Sequence, residues 1–189
     1  VNDDLIEAIV AGFEHPLEWV TAADSLSARF GKIRRNYEEY QRGVDAGQWD
    51  WMRGDPYAIA DWVPMFTPIE DDAWCEIRSA GLPMWPQFPV GKFFVDFGNP
   101  VAKVALECDG KEFHSAVKDA ERDKVLRSMG WRVIRVTGSR CYKTRVMLPA
   151  WQLEERGEYV DEGYDEIYHR ETLAGVMRQL KRIFDGRAA

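Results

Sequence analysis

Four ionisable side chains crowd one end of the stretch from Gln87 to His114 (QFPVGKFFVDFGNPVAKVALECDGKEFH): Asp96, Glu107, Asp109 and His114. Carboxylates suit a hard divalent cation, which prefers oxygen ligands, and a histidine can exchange protons near neutral pH. Asp96 and Glu107 lie within apolar runs, Phe93–Phe97 and Lys103–Cys108. A carboxylate there is unfavourable unless it is paired or meets a cation. Taken singly, each acid would be an ordinary residue on a solvated sheet face. Their convergence gives the chemical reading.

The elements that must hold them follow from periodicity and turn chemistry. The two apolar runs flank Gly98-Asn99-Pro100 and predict adjacent antiparallel strands. Alternation places Phe94 and Asp96 on one face, with Phe93, Val95 and Phe97 on the other. On the second strand Lys103, Ala105 and Glu107 share a face, opposite Val104, Leu106 and Cys108. Ala116 to Met129 predicts a helix that turns Val117, Ala120, Leu126 and Met129 inward and stops at Gly130. Trp131 to Val136 predicts the next strand, so the order strand, helix, strand predicts a right-handed crossover and a parallel pair.

Upstream, Pro68 to Ala80 predicts a helix with Glu70, Asp71 and Asp72 in its first turn and Ile69, Ala73 and Ile77 buried. Glu76, beside Ile77, can lean into solvent or over the sheet. A longer helix begins near Thr21, with Leu26, Phe30, Ile33, Tyr37, Tyr40 and Val44 as one stripe and Gly43 and Gly47 at its end. Asn2-Asp3-Asp4 can cap a short helix to about Phe13. The aromatics from Trp49 to Phe66 read as a packed connector rather than a base-stacking platform. Gly157 to Tyr168 reads as a surface loop, and Glu171 to Phe184 as an amphipathic helix.

Composition narrows the classes. The 189 residues are 46% hydrophobic and include eight tryptophans, enough for a real core. No apolar run is long enough to span a bilayer, and no basic-then-apolar signal opens the chain, so the expectation is a cytoplasmic protein with no membrane partner. Cys75, Cys108 and Cys141 are odd in number and show no paired spacing, which argues against a disulfide framework or a zinc cluster. The net charge of -7 does not advertise a nucleic-acid binder. Yet no acid occurs from Lys124 to Leu153, where Lys124, Arg127, Arg132, Arg135, Arg140, Lys143 and Arg145 stand. Such a segment is either a solvated basic surface or a phosphate track. Its place directly after the acid cluster favours the track.

DFGNPVAKVALECDGKEFHS followed by KDAERDKVLRSMGWRVIRV resembles the compact nuclease domains related to the very-short-patch repair endonuclease, within the restriction-endonuclease-like PD-(D/E)XK superfamily. The likeness spans about Ile69 to Val136. It rests on VDF, on the EXDG run with a histidine beyond it, and on the spacing of Asp119, Arg122, Asp123, Leu126, Gly130, Trp131, Val133 and Arg135. The resemblance implies Asp96 as the central metal ligand, Glu107 as the second acid and the Cys108 backbone carbonyl as a further ligand. Asp109 stands where many relatives have lysine, a departure that leaves the general base open. His114 matches the branch histidine, and Glu76 would be the acid of the helix before the sheet.

The expected fold class is therefore α/β: a restriction-endonuclease-like mixed central sheet flanked by helices, with helical N- and C-terminal extensions. The expected division is 1–67 as a helical extension, 68–150 as the nuclease core and 151–189 as a loop and helix on the core. The expected function is metal-dependent endonucleolytic hydrolysis of DNA, with Mg as cofactor, Mn as its substitute and no small-molecule cofactor. Lys111, Arg122, Arg127, Arg132, Arg135, Arg140, Lys143 and Arg145 are the expected nucleic-acid contacts. A homodimer or a partner protein stays open. The alternative is an inactive nucleic-acid- or protein-binding module on the same fold.

Overall fold

The computed structural model describes residues 17–21, 23–110, 116–141, 144–147, 165–168 and 173–186, without the side chains of 116–119, 144–147 and 165–168. The helix expected over Asn2–Phe13, and Lys111, His114, Lys143 and the Arg145 side chain, lie outside the described residues.

Ser25 opens helix α1 (Leu26–Asp45) by accepting the Ala28 N–H on its hydroxyl. The helix starts at Leu26 rather than near Thr21 because Asp24 closes a turn of its own on the Thr21 N–H, at 2.9 Å. Ile33, Tyr37 and Tyr40 are buried as the stripe predicts, whereas Leu26 is 66% exposed. Asn36 joins the inward face. It donates to the Glu18 and Ile59 carbonyls and accepts the Glu18 N–H, so a buried amide tethers the incoming chain. Gly43 has no side chain because Trp49 stands there: a Cβ would meet its ring at 2.1 Å.

Two single-turn 3-10 helices (Pro56–Ala58 and Val63–Met65) lead to α2 (Pro68–Ser79). Three strands follow: β1 (Trp85–Val90), β2 (Phe93–Asn99) and β3 (Val104–Asp109). Helix α3 (Ala116–Ser128) then connects β3 to β4 (Arg132–Thr137). The sheet order is β1-β2-β3-β4, with β1-β2 and β2-β3 antiparallel and β3-β4 parallel. A helical turn α4 (Gly138–Cys141), a two-stranded pair β5 (Thr144–Met147) and β6 (Asp165–Tyr168), and α5 (Ala174–Phe184) complete the described elements.

Some boundaries differ from expectation for local reasons. Lys103 has φ 49°, so the second acid strand starts one residue later, at Val104. Strand β1 carries Pro86 and Pro89, a composition that hides a strand but is tolerated at a sheet edge, where it lies. Gly91, at φ 57°, supplies the left-handed residue of the two-residue link to β2. Part of the expected surface loop is strand β6, which pairs with β5.

Two cores cover the sheet. One joins α1, Trp51, Trp62 and Leu126 to Trp85, Phe88, Val95 and Ala105. The other joins α2 and α5, through Ala73, Trp74, Ile77 and Leu180, to Phe97, Val104 and Leu106. The aromatics of the first are core, and their polar ends are satisfied: Trp85 donates to the Trp51 carbonyl and Trp62 to the Pro56 carbonyl. On β3 the alternation holds, with Ala105 in the first core and Val104 and Leu106 in the second. On α3 it does not. Ala120 is exposed, and the helix turns Asp123 inward beside Leu126. These elements make an α/β architecture, a mixed four-stranded sheet flanked by helices.

Candidate active site

The sheet is interrupted where its polar residues fall. Strands β1 and β2 pair at Pro86–Phe97 and Phe88–Val95, but the intervening row, Gln87 opposite Asp96, is unpaired. Gln87 has φ 45°, a left-handed backbone that breaks the strand's alternation. Between β2 and β3 pairing stops at Phe97–Leu106, one row short of placing Asp96 opposite Glu107. Glu107 in turn pairs with Arg135 across the parallel strands. One transverse row therefore reads Gln87, Asp96, Glu107, Arg135. Phase changes there too: Val95 packs in the first core and Phe97 in the second, although they are two residues apart.

Asp96 fills the gap with its side chain. The Cys108 N–H donates to Asp96 Oδ2 at 2.7 Å, a backbone group of β3 satisfied by a carboxylate of β2. Burial holds the Asp96 carboxyl well above the ordinary carboxylate range, the charge of Glu70 adds to the shift, and the Cys108 N–H and Arg122 oppose it. Glu107 is 3% exposed, and burial followed by the charge of Asp96 raises it as well, against Arg122 and Arg135. The two acids titrate as a pair, and removing the first proton makes removal of the second harder.

Helix α3 answers this charge from the side. Arg122 spans Glu107, Nη2 to Oε1 at 2.7 Å and Nη1 to Oε2 at 3.2 Å, and its Nη2 also donates to the Phe94 carbonyl. The next residue, Asp123, accepts from Arg135 Nη2 at 2.8 Å and Nε at 3.3 Å. Arg135 also reaches Asp109 Oδ1 at 2.6 Å. Adjacent residues of α3 thus cross to two strands with opposite signs. Arg135 thus bridges an acid of α3 and an acid of β3.

The sequence reading missed Glu70. It is 8% exposed, accepts the Thr67 N–H and hydroxyl on Oε2 at 2.7 and 2.6 Å, and accepts Gln87 Nε2 on Oε1 at 2.8 Å. Its position three residues after Thr67 is that of a capping-box acid, which supplies a sufficient structural reason for it. The signal was its phase. Glu70, Ala73, Trp74 and Ile77 share one buried stripe of α2, so this acid faces the sheet. Glu76, the acid expected there, is half-buried and lies more than one turn away; Glu70 is the helix acid whose charge bears on Asp96.

The residues expected as a phosphate track fall into two groups. Arg122 and Arg135 are paired with acids inside the cluster, although each side chain is still 23% exposed. Arg132 and Arg140 are exposed, and Arg127, 65% exposed at its side chain, makes only a long contact to Asp123 at 3.4 Å. Cys108 is buried between the two acids of β3, with its thiol against that of Cys141. Among the described residues, no three Asp, Glu, His or Cys side chains are gathered as a ready metal cage.

Residues 70–148 match the family model REase_MTES_1575, a restriction-endonuclease-like family. The matched span opens at Glu70 and contains the whole acid cluster, although it covers less than half of the chain's 189 residues. No curated protein matches the chain. Among solved structures, the catalytic domain of the homing endonuclease I-Bth0305I is similar at a TM-score of 0.41 and 15% identity, covering 66% of this chain and 100% of that one. That likeness is too distant to bear on chemistry.

Proposed function

We propose that this protein is a metal-dependent endonuclease that hydrolyses DNA phosphodiester bonds, on a domain of the very-short-patch-repair type. The observation that carries the reading is the interrupted row. Asp96 and Glu107 meet at a gap between strands with Glu70 beside them, inside a span that matches a restriction-endonuclease-like family. Burying carboxylates together is unfavourable without a cation. Their all-oxygen donor set fits a hard divalent ion, magnesium or manganese, held by Asp96, Glu107 and the Cys108 carbonyl. Such an ion, when bound, acidifies water and offsets charge on the scissile phosphate.

The chain's own residues prepare the place. Thr67 and Gln87 fix the Glu70 carboxylate from opposite sides, and the Cys108 N–H orients Asp96. Arg135 steadies Asp109. His114 is proposed to exchange a proton with water or the leaving oxygen, a role open to an imidazole near neutral pH. Exposed Arg127, Arg132 and Arg140 are proposed to meet the DNA backbone.

The deciding assay offers supercoiled, linear, mismatched and single-stranded DNA, with an RNA control, in Mg, Mn or EDTA. Metal-dependent cutting is expected, and Asp96→Asn, Glu107→Ala and Glu70→Gln are each expected to lower it by about 10^2-fold or more with the circular dichroism spectrum unchanged. Undiminished cutting by both Asp96→Asn and Glu107→Ala would falsify the assignment. One observation favours a second reading, a non-cleaving nucleic-acid- or protein-binding module: both Glu107 oxygens are already occupied by Arg122. Binding of DNA without cutting, and no rise in melting temperature with Mg or Mn, would select it.

A further inference from the structure

We propose that Arg122 is a resident counter-ion at Glu107, occupying the cation's place in the metal-free protein and yielding it when a divalent ion binds. The inference rests on the metal-dependent reading above and concerns how that site is loaded.

Three observations carry it. The guanidinium takes both carboxylate oxygens of Glu107, the arrangement that leaves a second cation least room. It also donates to the Phe94 carbonyl, so one charged group bridges β2 and β3 at the side of their unpaired row. Glu107 is otherwise poorly served, because Arg135 is held by Asp123 and Asp109.

Exposure supplies the asymmetry that makes exchange feasible. The Arg122 side chain is 23% exposed and that of Glu107 only 4%, so the arginine has a route to water that the acid lacks. The Phe93 ring, 5.9 Å from the guanidinium carbon, offers the released cation a nearby face. Arginine and metal are both cations seeking the same carboxylate, so metal affinity measures a competition between them. Arg122 is accordingly a positioning residue: it keeps Glu107 paired and aimed until the metal arrives.

The test is a calorimetric Mn titration of the full chain without DNA, comparing wild type, Arg122→Gln, Arg122→Lys and Asp96→Asn. Arg122→Gln is expected to bind Mn about tenfold more tightly than wild type while its metal-free form melts lower, because the acid cluster has lost its internal cation. Arg122→Lys is expected to fall between, since an ammonium offers a single point of charge in place of a planar fork. Asp96→Asn should bind weakly or not at all. A second measurement needs no variant: in the wild-type protein, the side-chain NMR signal of Arg122 should lose its protection from solvent exchange as Mg is added. Equal or weaker Mn binding by Arg122→Gln, or an Arg122 signal still protected at Mg saturation, overturns the exchange while the metal site stands. Failure of the wild type and the Arg122 variants alike to bind Mn overturns both readings.

Discussion

Glu107 and Asp123 lie on two sides of the seam between α3 and the sheet, each held at both oxygens by one arginine. Their acidities move in opposite directions. Asp123 is lowered, first by its hydrogen bonds to Arg135 and then by further arginine charge, against some burial. Glu107 is raised, first by burial and then by the charge of Asp96, although Arg122 grips it at 2.7 Å. A good partner therefore does not by itself decide the state of a carboxylate. Asp123 has Arg135 and Arg127 around it, whereas Glu107 shares its cation with a neighbourhood of acids. One seam is a structural ion pair; the other is a place short of positive charge.

That contrast can be broken with substitutions. Arg122→Ala leaves Glu107 buried and unpaired, and chemical denaturation should show a loss of about 3 kcal/mol in metal-free buffer. The combined Arg122→Met, Glu107→Leu protein should recover most of it, because an apolar pair needs no counter-charge. Asp123→Ala should lose less, about 1–2 kcal/mol, since Arg135 keeps Asp109 and a path to solvent. If Asp123→Ala were the more damaging of the two, the distinction between the seams would fail.

Titration sharpens it further. A raised carboxyl binds protons in the folded state that the unfolded state releases, so its contribution to stability is present at low pH and is lost as pH rises. For Asp96 and Glu107 that window runs from the ordinary carboxylate range up to about 7 and about 8. Asp123 has the opposite sign: its contribution is present above its ordinary pKa and is lost as pH falls through its lowered value. The metal-free protein should therefore lose stability at both ends of a melting-temperature profile against pH. Asp96→Asn should flatten the neutral side only, and Asp123→Asn the acid side only. At the bottom of the scale, Arg127→Ala should change stability by no more than about 0.5 kcal/mol, the worth of an exposed i,i+4 pair. A larger loss would make the Asp123 seam a three-residue network.

Much of the fold was open to reading from the chain. The strands that carry Asp96 and Glu107, the helix and strand that follow, and the parallel return all stand within a residue or so of their expected limits. Strand β1 was hidden by its two prolines, which a sheet edge tolerates. Glu70 was concealed by a second reason for its presence, since an acid at a capping-box position already has a local role. Arg135 read as a surface basic residue because a run without acids looks like a patch until the chain folds acids from β3 and α3 against it.

Local chemistry explains which features the sequence carried alone. Alternation along a strand, a helix stop at Gly130 and the cost of an acid among apolar neighbours depend on residues close in the chain, so they put Asp96 and Glu107 at the centre. Contacts across the sheet have no such local record. The left-handed Gln87, the unpaired row it faces, the approach of Glu70 and the division of two arginines among buried acids arise only when separate segments share one space. Charge placement in this molecule is a property of that packing, because burial and neighbouring acids set the balance that pairing alone would have reversed.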